Sequence, residues 1–385
     1  MTVKKRHIYY ISGFDPRGAA FYRRFYQEEA AKQAAIGGLL IRVGARKRVT
    51  PFSSSWQVET NEVSTTYEYL QWDDIVRAHW SRREVTVLRN YLKAAWIYLR
   101  SGTLKRVLQA SWPPFVTSLF PLAILLLVIG LACGVAVASC LSVGNWFRWP
   151  VALAGFVGVV QAGRALEKRM NSYWLLRIYA FSAQQGLGLL PDLEARLEQF
   201  ADHIVRQSLD AAPDEILLIG HSTGTIMASS VLGRVLARCP ELKMSFLTLG
   251  QCLPIVSMLP QAQRYRDDLA RISQAPQVDW IDYTAPSDGA CFALVDPIAV
   301  SGLYQADPEH PKPKLLSPRF ARLFSRASYA KMKRDWYRNH FQYIMASEVA
   351  GEYDYFAITA GTLTLHERHQ AQQSVQQYQR PGPFK

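Results

Sequence analysis

The sequence predicts an α/β protein: a mostly parallel sheet flanked by helices, interrupted by a helical hairpin of membrane type. Three observations predict it. Short apolar runs of strand length alternate with segments of helical pattern. A G-x-S-x-G pentapeptide, Gly220-His221-Ser222-Thr223-Gly224, joins such a run to such a segment. No charged residue occurs from Val107 to Phe147, and roughly 20 apolar residues suffice to cross a bilayer.

Taken in order, HIYYIS at 7–12 reads as a buried strand that stops in the turn-rich loop Gly13 to Gly18. A helix is expected at 19–35. Strands are expected at 38–49 and 56–69 with PFSSSW as the turn between them, and a further short one at 67–72. A helix at 82–100 leads to the apolar run. After it come a helix at 191–209, a strand EILLI at 215–219, the pentapeptide and an apolar helix. Strands at 245–249 and 278–283 follow, with a last core strand in LLSPRF at 315–320. Tyr67, Tyr69, Trp72 and Trp80 are read as core or membrane-facing, and Arg46-Lys47-Arg48 as a solvated turn.

The apolar run Phe115 to Val143 and the shorter stretch Trp149 to Gly163 form a hairpin at 107–166. The second stretch is short for a full span. Arg100, Lys105 and Arg106 precede the hairpin, Arg164, Lys168 and Arg169 follow it, and only Arg148 lies between. The positive-inside rule then puts both outer ends in the cytoplasm and the turn at 144–148 outside. The hairpin divides the chain into 1–106, the hairpin itself, 167–365, and a polar tail at 366–385. Because strands on both sides must join one sheet, the chain has to return to the face it left, which a hairpin does and a single span does not.

Composition agrees. Of 385 residues 49% are hydrophobic and 19% charged, which excludes disordered, collagenous and low-complexity chains. The net charge of +13 suits an anionic surface. The apolar run favours a lipid bilayer as that partner, and no nucleic-acid-reading motif is present. The cysteines Cys133, Cys140, Cys239, Cys252 and Cys291 have neither disulfide-framework nor zinc-ligand spacing, so no metal or cofactor is expected. The basic start Met1 to Arg6 is followed by too short an apolar stretch for a signal peptide.

The pentapeptide carries the chemistry. Its glycines let the turn tighten and hold the Ser222 hydroxyl proud of the sheet. The helix that follows offers a backbone N–H to a developing oxyanion. In GHSTG, in the loop SGFDPRG after the first strand, and in the order Ser, Asp, His, the chain resembles the α/β-hydrolase superfamily in its esterase and lipase branch. The resemblance covers most of the chain outside the hairpin and implies an α/β-hydrolase-like fold and a Ser–His–Asp triad. It implies Asp288 in TAPSDGA as the acid, with Asp296 as the alternative, and His340 in RNHFQYI, an H-x-x-Y context, as the base. His310 lies in a Pro-rich loop before the last strand, and His366 and His369 in a polar tail that reads as a solvated helix. His7, His79 and His203 precede the acid, and His221 is expected to point away from its neighbour Ser222. Thr223 and Phe14 are the expected oxyanion donors through their backbone N–H groups; Asp15 or Arg17 shapes that loop.

The function expected is a membrane-anchored serine hydrolase, with its catalytic domain at the cytoplasmic face, cleaving an acyl ester of lipidic type through an acyl-enzyme on Ser222. The alternatives are an acyltransferase using the same residues and an inactive membrane scaffold.

Overall fold

The computed structural model describes residues 2–170, 172–210, 213–303 and 312–375. His310 and the end of the tail at 376–385 lie outside them. Within them the chain forms an α/β fold around one mixed, mostly parallel sheet. The strands are β1 (Lys5–Ile11), β2 (Arg42–Val43), β3 (Lys47–Thr50), β4 (Ser53–Glu59), β5 (Ser64–Leu70), β6 (Glu215–His221), β7 (Met244–Leu249), β8 (Val278–Tyr283) and β9 (Lys314–Leu316). Their spatial order is β2-β4-β5-β1-β6-β7-β8-β9, with β3 also on β4. From β5 to β9 every neighbouring pair is parallel, while β2, β3 and β5 all pair antiparallel with β4.

Strand alternation divides the core between the two faces. Tyr9, Ile11, Leu218, Phe246 and Trp280 point into one apolar layer; Ile8, Tyr10, Leu217, Ile219, Leu247 and Ile281 point into the other. The helix Ala19–Gly37 packs on the second layer. On the first lie Pro191–Asp210, Gly224–Arg238 and Gln263–Gln274. Gly224–Arg238 is buried at every position from Gly224 to Leu236, and each fully buried Leu, Ile, Val or Met contributes about 1.5–3 kcal/mol.

Several expected boundaries move. PFSSSW is not a turn: only Pro51-Phe52 turns, and Ser53 to Trp56 are buried in β4. Residues 38–41 are not in a strand. The region expected as two long strands is an antiparallel ribbon, because β3 and β4 pair directly through a two-residue connection. Among the helices that were not anticipated are Tyr173–Gly186 and Gln263–Gln274. The segment from 365 onward is not wholly solvated. A Thr364 capping box starts the helix Leu365–His369, His369 is buried against the Tyr283 hydroxyl at 3.0 Å, and Val375 N–H donates to Leu315 O. Tyr67, Tyr69 and Trp72 are core residues.

The hairpin is two helices, Trp112–Ser142 and Arg148–Met170. Residues 107–110 belong to a separate helix, Thr103–Ala110, which stands between Glu84–Arg100 and the apolar run. The second arm, at 23 residues, is longer than its apolar stretch because the helix continues through Arg164. Both arms are long and apolar enough to cross a membrane, and only 6% of each apolar window is buried inside the protein. The arms pack on each other where Gly155 and Gly163 face Val135 and Val128.

Candidate functional site at the carboxyl end of the sheet

The loops that follow β1, β6, β7 and β8 meet at the carboxyl ends of the parallel strands, where open α/β sheets form their crevices. Ser222 sits in the turn between β6 and the helix Gly224–Arg238 with φ +59°, a left-handed conformation that costs a non-glycine residue about 1–3 kcal/mol. The turn holds it through Ser222 N–H to Leu249 O (2.9 Å) and through Thr225 Oγ1, which donates to Ser222 O (2.6 Å). The turn also requires close approach. A Cβ on Gly224 would stand 2.4 Å from Ile11 O, and one on Gly13 would stand 2.9 Å from Ser222 Cβ and 3.2 Å from its Oγ.

Asp288 lies in the loop after β8 and is buried. Its Oδ2 accepts from His340 Nδ1 at 2.8 Å and from the Tyr343 hydroxyl at 3.1 Å; its Oδ1 accepts from Ala290 N–H at 3.0 Å. Burial opposes its charge, yet His340 and these donors hold the carboxyl below the usual carboxylate range. His340 is carried by the helix Trp336–Phe341, capped by the Asp335 side chain on Arg338 N–H. Because Nδ1 is committed to Asp288, Nε2 is the nitrogen left for proton transfer.

Asp296, the alternative acid, does something else. It caps the helix Pro297–Val300 by accepting from Ile298 and Ala299 N–H. Asp282 accepts from Thr248 Oγ1 within β8, and burial raises it to about 8. His221 does turn from its neighbour. Its Nε2–H donates to His340 O at 2.9 Å, so it steadies the backbone that carries His340, and burial followed by the nearby His340 pushes it down to about 3. His7 and His203 both bond Glu68, which they bring down to about 2 against the opposing effect of burial.

The two expected oxyanion donors differ. Thr223 N–H begins the helix and has no acceptor among the described residues. Phe14 N–H is engaged: it donates to Thr223 Oγ1 at 2.8 Å. The loop is pinned from both sides by indoles, Trp72 Nε1 to Ser12 O (2.9 Å) and Trp174 Nε1 to Phe14 O (2.7 Å). Asp15 and Arg17 form an ion pair beside it, anchored by Tyr22 and Tyr337. Trp174, on the unanticipated helix Tyr173–Gly186, also stacks on Trp336 and meets the His340 ring edge-on at 6.4 Å. The Ser222 hydroxyl lies beside the Cys252 sulfur, whose thiol burial pushes up, and no Ser222–His340 hydrogen bond is present among the described residues.

A cavity of about 230 Å³ adjoins the acid loop. Val116, Thr117 and Phe120 from the first turns of Trp112–Ser142 line it together with Leu175, Gly289 and Trp336. Thr117 Oγ1 donates to Gly289 O at 2.8 Å, tying the root of the hairpin to the loop that holds Asp288. Among the described residues no three His, Cys, Asp or Glu side chains cluster as metal ligands would. The chain matches no family model, no curated protein and no solved structure.

Proposed function

We propose that the chain is a membrane-anchored serine hydrolase of the α/β-hydrolase type, cleaving an acyl ester of lipidic character. What supports the chemistry is the buried Asp288–His340 hydrogen bond, held at the same sheet end as the strained turn that bears Ser222. Ser222 Oγ attacks the ester carbonyl, and His340 Nε2 takes its proton and returns it to the leaving alcohol. Asp288 fixes the imidazole tautomer and stabilises the imidazolium that forms. The oxyanion is received by Thr223 N–H and, once the Thr223 hydroxyl releases it, by Phe14 N–H. Water then hydrolyses the acyl-enzyme; an alcohol or amine in its place would make the same residues an acyltransferase. The apolar cavity at the hairpin root supports a lipidic substrate arriving from the bilayer. The basic flanks of the hairpin support a cytoplasmic side for this domain.

The engaged Phe14 N–H and the Ser222 hydroxyl beside Cys252 favour one other reading, a membrane scaffold whose site never completes. Labelling of membranes with a fluorophosphonate separates the two. The hydrolase reading expects Ser222-dependent labelling that Ser222→Ala abolishes. A folded, membrane-bound wild type that does not label overturns it in favour of the scaffold.

A further inference from the structure

The helix Glu84–Arg100 has three faces where a soluble helix has two. Val87, Tyr91, Ala94 and Tyr98 are buried against the domain. Val85, Leu92, Trp96 and Leu99 are exposed, Trp96 at 60% and Leu99 at 59%. At about 100° per residue these four fall within roughly a 60° arc, well away from the buried face. Arg89, Lys93 and Arg100 occupy the adjoining strip, all exposed. An apolar stripe bordered by cations is the pattern of a helix lying in a membrane interface. From 82 to 106 there are seven Lys or Arg against the single Glu84.

The position of the helix selects the occupant of that stripe. It lies across the mouth of the hairpin. The Tyr91 hydroxyl donates to Ser118 O (2.5 Å) in the first turns of Trp112–Ser142, and Glu84 pairs with Arg164 (3.2 Å) near the end of the returning arm. Leu108, on the short helix between Glu84–Arg100 and the hairpin, and Trp112, at the start of the hairpin, are exposed apolar residues as well. A surface placed there meets the bilayer at headgroup depth.

We infer that Glu84–Arg100 is a second, interfacial membrane contact, with Val85, Leu92, Trp96 and Leu99 dipping into the acyl boundary of an anionic bilayer and Arg89, Lys93 and Arg100 on its headgroups. This inference rests on the membrane-anchored reading. It gives the hairpin's partner in fixing orientation: the hairpin holds the domain at the bilayer, and this helix sets its tilt, turning the cavity beside Asp288 toward the lipid.

The test uses the full chain, with Cys133→Ala, Cys140→Ala and Cys239→Ser, in vesicles of phosphatidylcholine and phosphatidylglycerol. A nitroxide is attached after Leu92→Cys, Trp96→Cys or Leu99→Cys, and its depth is read from collision with oxygen and with a water-soluble nickel complex. Leu127→Cys reports the hairpin, and Glu241→Cys reports the exposed remote surface. The expected result is a deep label at 127, interfacial labels at 92, 96 and 99, and an aqueous label at 241. A deep label at 127 with 92, 96 and 99 as aqueous as 241 overturns this inference and leaves the anchor standing. An aqueous label at 127 overturns the anchor and the inference with it. Vesicles of phosphatidylcholine alone should move 92, 96 and 99 toward water; unchanged depths would remove the anionic headgroups from the proposal. With Leu92→Glu and Trp96→Glu together, KM for a vesicle-embedded ester should rise about tenfold or more while kcat for a soluble short-chain ester stays level. Loss of both activities alike would instead indicate a purely structural helix.

Discussion

The helices Gly224–Arg238 and Trp112–Ser142 are both apolar, both rich in small residues, and opposite in fate. The first is buried from Gly224 to Leu236, while the apolar window of the second is 6% buried. The exposed helix is also the longer, 31 residues against 15, and carries no charge, whereas the buried one includes Arg234 and Arg238. What differs too is the contact each small residue makes. Gly224 admits a strand backbone at a distance no Cβ could tolerate, whereas Gly130 and Gly134 face open space. The buried helix is fitted to one place; the exposed one needs only an apolar solvent and its partner arm.

Four comparisons probe this contrast. Asp288→Asn, at the fitted end, should lower kcat for ester hydrolysis about 10³–10⁴-fold by freeing the wrong imidazole tautomer. Leu127→Ala should leave it unchanged, and steady-state assays on both variants decide it. Next, Leu232→Ala should destabilise the detergent-solubilised protein by about 2–5 kcal/mol, the cost of a core cavity. Leu127→Ala should alter the denaturation midpoint little; equal losses would mean that the hairpin is packed like the core. Gly224→Ala should cost about 1–3 kcal/mol from overpacking. Gly134→Ala should be neutral or gain up to about 1 kcal/mol of helix propensity, as thermal melts would show.

The last comparison is in pH. His221 falls from an ordinary 6.5 to about 3 in the fold, and Glu68 from 4.5 to about 2. For each group the unfolded chain binds the proton more tightly than the folded one. The stability they contribute is therefore complete above about 6.5, declines through the His221 window from 6.5 to 3, and falls again as Glu68 protonates between 4.5 and 2. Hairpin helicity, followed by circular dichroism in micelles, should persist below the pH at which the tryptophan fluorescence of the domain reports unfolding.

The parts that were legible from sequence are those whose signals are local. GHSTG between EILLI and an apolar helix announces its own turn, and the observed φ of Ser222 sits where that motif implies. The charge-free run gives the hairpin because length alone defines it. Asp288 and His340 were singled out by the resemblance to α/β-hydrolases, and they meet in space. What was missed is long-range. Nothing near Trp174 says that its indole will hold Phe14 O, 160 residues earlier. The helix carrying it could have been found, since Trp174, Leu175, Ile178 and Phe181 recur at helical spacing, but its role could not. Nor does the sequence near Phe14 say that the side chain of Thr223 will accept its N–H, 209 residues away. His369 read as solvent-facing because its neighbours are polar; the Tyr283 hydroxyl that buries it lies 86 residues back.

The sheet order carries a consequence for synthesis. β1 sits between β5 and β6, and Lys4 N–H is paired with the Asp214 carboxylate 210 residues later. Everything between, the hairpin included, must leave the ribosome before the central strand gains its second neighbour. At about 5–20 residues per second, the hairpin is exposed for seconds before Ser222 is even polymerised. If the hairpin enters the bilayer as proposed, insertion precedes assembly of the site. Any active serine would then form only on a chain already delivered to its membrane.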